Sequence, residues 1–124
     1  MKKERPVDLN IAAFRWPLAA IMSITHRLTG VFLFAGVGLL IWLLDASLSS
    51  AQGFADVKVM LTSTGASFAL WVVIAALAYH TAAGVKHFFM DMGIGESLEG
   101  GQLAAKITLA IAIVLIVLAG LWIW

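Results

Sequence analysis

His80 stands alone within an uncharged run from Val59 to Val85, and Gly84 follows four residues later. An ionisable side chain in so apolar a setting needs a partner, which points to a metal, a proton pathway or a polar neighbour. Gly84 lies one turn further on the same helical face and removes a side chain, which gives a flat group such as a porphyrin ring room to lie against the helix. The spacing favours haem. At roughly 100° per residue, His80, Gly84, His87 and Asp91 fall within about 60° of one another and form one stripe. His80 and His87 are separated by roughly 10 Å along it, so they cannot be opposed axial ligands of one iron. A second ligand must come from His26 or from another subunit. Counted along the helices, His26 lies near the membrane boundary and His80 about 16 Å from Asp91, hence deeper, which favours a partner subunit. The structural alternative is a core histidine hydrogen-bonded to a Ser or Tyr of a neighbouring helix.

A second constellation interrupts the segment from Trp16 to Leu44, where His26 and Arg27 are the only ionisable residues. Ser23, Arg27 and Gly30 share one helical face, with a hydroxyl and a guanidinium one turn apart beside a glycine gap. Such a face can bind a polar oxygen. The competing readings are an arginine that snorkels to the headgroups and a serine bonded to its own i−4 carbonyl. For Lys86, His87 and Asp91 the alternative is an ordinary interfacial helix end.

The elements that position these residues follow from composition. The chain of 124 residues is 62% hydrophobic and 12% charged, with a mean hydropathy of +1.00, well outside the range of soluble domains. Three segments are long and apolar enough to cross a bilayer, since about 20 such residues cover its hydrocarbon core. The sequence predicts an all-α membrane protein, three transmembrane helices in an antiparallel up-down-up bundle forming one domain over residues 1–124. Its parts are an N-terminal arm over 1–17, then helices over about 18–48, 60–90 and 104–124. Pro6 and Pro17 keep the arm extended. The Gly36 and Gly38 pair reads as close helix packing, and Tyr79 and Trp71 as packing or interface residues.

Little chain is left for chemistry outside the bilayer. Cysteine is absent, which excludes thiolate-held clusters, thiol nucleophiles and covalent haem attachment within this chain. A net charge of +1 is too balanced for a nucleic-acid partner. Lys2, Lys3, Arg5, Arg15 and Arg27 precede or open the first span, and Lys86 and Lys106 flank the second connection, whereas Lys58 is the only basic residue of the first. The positive-inside tendency then puts the N-terminus in the cytoplasm and the C-terminus in the periplasm. With no secretory or organellar leader pattern at the N-terminus, a bacterial inner membrane is the expected location. This topology gathers Ser23, His26, Arg27, Lys86, His87 and Asp91 on one membrane face.

Three stretches carry a resemblance: Arg5-Pro6-Val7, Ser23-Ile24-Thr25-His26-Arg27-Leu28-Thr29-Gly30, and His80-Thr81-Ala82-Ala83-Gly84-Val85-Lys86-His87 with Asp91. Taken together they resemble the cytochrome b membrane-anchor subunit of succinate dehydrogenase, respiratory complex II, over nearly the whole chain. The resemblance implies that His80 is one axial ligand of a haem b shared with a second hydrophobic anchor subunit, which supplies the other. It implies that Ser23 and Arg27 line a ubiquinone site beside a docked iron–sulfur subunit, with succinate oxidised on a flavoprotein subunit beyond. His26, Lys86 and His87 become candidate contacts of the haem propionates. The family usually has Arg where this chain has Lys86, and lysine keeps the charge but loses the bidentate fork.

The residue types suit such a role on physical grounds. Quinone reduction develops negative charge on carbonyl oxygens, which the fixed charge of Arg27 can stabilise in a low-dielectric site. Ser23 can donate a hydrogen bond to a carbonyl but is a poor proton source. A fumarate reductase anchor would carry the same residues and run the reaction in reverse. A structural or transport bundle and a self-contained bis-histidine cytochrome are the remaining readings, and only His26 could complete the latter.

Overall fold

The computed structural model describes Asn10 and residues 12–124. The predicted arm lies mostly outside the described residues, and with it Arg5-Pro6-Val7. Four helices follow: α1 (Leu18–Leu48), α2 (Ala51–Met60), α3 (Thr64–Asp91) and α4 (Leu98–Ile123). Three of them, α1, α3 and α4, are long and apolar enough to span a membrane. The chain is an all-α membrane protein. Contacts between α1 and α3 run in opposite order along the two helices, His26 against His80 and Gly36 against Val73. Met90 against Gly101 and Trp71 against Gly120 show the same for α3 and α4. The three long helices are therefore antiparallel in sequence, and α1 also touches α4.

Helix starts are set by local chemistry. Pro17 precedes α1 with no side-chain cap, since its ring carries no oxygen to accept from the amides of the first turn. Ser50, Ser63 and Ser97 each cap a helix, accepting from the amides of Gly53, Ala66 and Gly100. The cap at Ser97 corrects the predicted start of the last helix, which begins at Leu98 and not near residue 104. Two glycines, Gly100 and Gly101, disguise the first turn as a loop, yet Gly101 is buried and Gly100 sits tight against Gly95. The preceding turn uses positive φ at Gly93 and Gly95, a conformation that side chains resist.

The first connection is also more ordered than expected. Its ten-residue helix α2 packs on α1, with Gln52 donating to Asp56 at 2.7 Å and the Lys58 ammonium over the Phe54 ring. Such a helix is too short to announce itself by periodicity.

The core between the long helices is thin and made of small residues. Met22, Ala83 and Ala105 form its centre, with Leu18, Ala19 and Tyr79 against it. Gly36 brings α1 close to Val73, whereas a side chain at Gly38 would meet open space, so only the first of that pair is a packing glycine. Trp71 ties α3 to α4 by donating its indole N–H to the Ile116 carbonyl at 3.1 Å, above Gly120. Most large apolar side chains, Val31, Phe34 and Trp122 among them, face outward. In lipid that is the stable arrangement, because outward apolar surface costs nothing there.

Candidate functional site

The polar residues of α1 and α3 meet in one seam. Thr25 and Thr29 return hydrogen bonds to carbonyls of the preceding turn and also reach across to α3. Thr25 shares a short hydrogen bond with the Tyr79 hydroxyl, which also donates to the Met22 carbonyl at 3.1 Å. One turn deeper, the Nδ1 of His80 lies 3.0 Å from the His26 carbonyl oxygen and 3.1 Å from Thr29 Oγ1. Because the carbonyl can only accept, Nδ1 must carry the proton. Nε2 makes no hydrogen bond among the described residues, and a histidine whose other nitrogen is held by a carbonyl is the arrangement common at metal sites.

His26 and His80 stack face to face, with centroids 4.1 Å apart and planes 11° from parallel. His87 joins them, its ring 5.2 Å from His26 and tilted by 56°. The expected difference in depth between His26 and His80 is thereby corrected. His26 is eight residues into α1 and His80 eleven from the end of α3, so in an antiparallel pair their levels differ by only about 4.5 Å. Face-to-face rings cannot hold one iron between them, since opposed ligands must point their nitrogen tips at it.

Two glycines make the stack possible, each opposite the other helix's histidine. A Cβ at Gly30 would lie 3.0 Å from His80 Cε1, and one at Gly84 would lie 3.3 Å from His26 Nε2. The His26 imidazole thus lies against the gap that Gly84 leaves on α3.

The remaining sequence-selected residues divide between two places. Arg27 and Asp91 are exposed and, like Lys86, close enough to His87 to act on it electrostatically. Ser23 is half-buried and, among the described residues, its hydroxyl makes no hydrogen bond, unlike Thr25 and Thr29 on the same helix. Lys86 lines a groove between α3 and α4, turned from the stripe of His80, Gly84 and His87. The sequence reading passed over Thr29 and Tyr79 as functional residues. Thr29 lies one turn after His26 in the same motif, which was the available signal.

Fold and seam define a class: a multi-pass helical membrane protein with three histidines gathered between two of its spanning helices. The family described as succinate dehydrogenase/fumarate reductase transmembrane subunit matches residues 1–119, and the chain belongs to that family. It is 37% identical to the succinate dehydrogenase cytochrome b556 subunit of Coxiella burnetii, over the whole of both chains. Identity to the protein of the same name in Paracoccus denitrificans is 36%, covering 92% of this chain and 88% of that one. The mitochondrial cytochrome b560 subunit of Sus scrofa is 35% identical over 76% of this chain and 57% of its own length.

Proposed function

We propose that this chain is the haem b-binding anchor of a succinate:ubiquinone oxidoreductase, with His80 as the ligand it contributes to the iron. The observation that carries this reading is the pair of hydrogen bonds at His80 Nδ1, to the His26 carbonyl and Thr29, which leaves Nε2 free to bind. The residues fit haem in chemistry as well. The ligand is a neutral imidazole between small residues, and a cation and two further histidines lie toward the helix ends where propionates would need them.

The second axial ligand comes from another hydrophobic anchor subunit. His26 is committed to the stack over Gly84, and its backbone carbonyl positions His80. His26 and His87 are then the candidate propionate contacts. Lys86 faces the other groove and is the weakest of the three. Bound haem b supplies a one-electron store beside the quinone.

At the quinone itself, Arg27 and Ser23 do the work assigned to this chain. The Arg27 guanidinium offers fixed positive charge to the oxygen that gains electron density, and the Ser23 hydroxyl is free to donate to a carbonyl. Protons arrive by water or from acids of partner subunits, since neither residue gives one up readily. The iron–sulfur subunit docks at this end of the bundle and the flavoprotein subunit beyond it. The complex sits in a bacterial inner membrane, the N-terminus cytoplasmic and the C-terminus periplasmic.

Dithionite-reduced minus oxidised spectra of the complex purified through a tag on this chain test the reading. A b-type signal with co-purifying flavoprotein and iron–sulfur subunits is expected, and Arg27→Leu should keep that signal while ubiquinone reduction collapses. No haem and no partner subunits would sink it in favour of a structural or transport bundle.

A further inference from the structure

The histidine seam leaves Lys86 unexplained. It is only 5% exposed, and among the described residues its ammonium has no hydrogen bond or ion pair. Burying a charge in that condition is unfavourable, so a residue of this kind points to a missing anion. Its carboxylate neighbours do not supply one: Asp91, Glu96 and Glu99 are all exposed and none pairs with it.

Lys86 opens onto a groove of about 600 Å³ between α3 and α4. At one end the groove is walled by Gly95 and Gly100, beside the amino end of α4, where Ser97 caps the Gly100 amide. From there it runs along Val85, Leu103 and Ile107 to Leu115. From Gly100 to Leu115 is roughly 22 Å of helix, more than the ~15 Å half-thickness of a hydrocarbon core. Positive charge at Lys86 therefore marks the interfacial end, and a largely apolar channel, broken by Thr108, leads away from it at a length that suits an acyl chain.

We propose that the α3–α4 groove is a binding site for one anionic phospholipid, with its phosphate on the Lys86 ammonium and an acyl chain laid against Leu103 and Ile107. A zwitterionic lipid fits the channel equally well but leaves the lysine only partly compensated. Charge complementarity is thus what selects the occupant. The groove lies on the α4 side of α3, whereas the His26–His80 stack lies between α3 and α1.

The test is native mass spectrometry of the intact complex, stripped of lipid in detergent and titrated in parallel with phosphatidylglycerol and phosphatidylcholine. The wild type should retain phosphatidylglycerol about tenfold better, the discrimination expected of one charge-assisted contact. Lys86→Gln should bring the two lipids level, and Ala104→Phe, which narrows the channel without touching the charge, should weaken both. Equal retention of the two lipids by the wild type overturns the proposal whatever the variants do. So does a photo-crosslinker at Leu103 that captures a partner subunit in native membranes instead of lipid.

Discussion

At the scale of single residues, the decisive geometry is one imidazole nitrogen with two oxygens. His80→Ala should remove the haem signal from the purified complex, and a normal b-type spectrum in that variant would eliminate His80 as a ligand. Thr29→Val is the finer probe. It keeps the volume of the side chain and leaves the His26 carbonyl in place, so His80 loses one of its two oxygen neighbours without losing its tautomer. A less polarised Nδ1–H makes Nε2 a weaker donor, and supporting contacts of this type alter metal affinity by about 10-fold or more. Redox titration should then show a raised haem midpoint potential, with faster haem loss on dilution. An unshifted potential would mean that the carbonyl alone orients the ring. The histidines and Arg27 were legible in the sequence because charge in an apolar run is rare. Thr29 and Tyr79 were not, since a hydroxyl in a membrane helix bonds its own backbone by default and only packing reveals when it also crosses to a neighbour.

Among the elements, the glycines determine how closely α1 and α3 approach. Gly30 and Gly38 are eight residues apart on α1 yet differ completely in what a methyl group would meet: His80 at 3.0 Å in one case, nothing within 4 Å in the other. Gly30→Ala must push the ring of His80 aside, and overpacking of this kind costs about 1–3 kcal/mol. Gly38→Ala should be neutral or gain up to about 1 kcal/mol from helix propensity. Thermal dissociation of the complex followed by haem absorbance separates the two, and equal effects would show that the stack does not control the seam. The three spans themselves were plain from hydropathy. What hydropathy hid were the capped, glycine-bearing start of α4 and the short helix α2. In both, the information lies in one serine and its i+3 amide, not in any repeating pattern. The His26–His80 pairing is hidden for a different reason: antiparallel packing brings residues level when their distances from adjacent helix ends match, which no single helix reveals.

On the scale of the whole molecule, the chain has little interior of its own. Its core is a few small residues, and Phe34, Val31 and Leu28 on α1 point away from the other helices. With the two nearest histidines stacked, one ring cannot serve the iron from the face opposite the other. Under the proposed function, a haem with two axial ligands would then take its second from a partner subunit. Expressed in membranes without its partner anchor subunit, the chain should hold no haem, or a five-coordinate high-spin form; co-expression of the partner should restore the low-spin signal at one haem per pair of anchors. Electron paramagnetic resonance of the oxidised membranes distinguishes these states. A low-spin signal from this chain alone would require His26 to leave Gly84 and swing round to face His80, which makes the reading as a self-contained cytochrome the correct one. In that event His26→Ala would abolish the signal, whereas in the shared arrangement it loosens the haem through lost propionate contacts and leaves the iron six-coordinate.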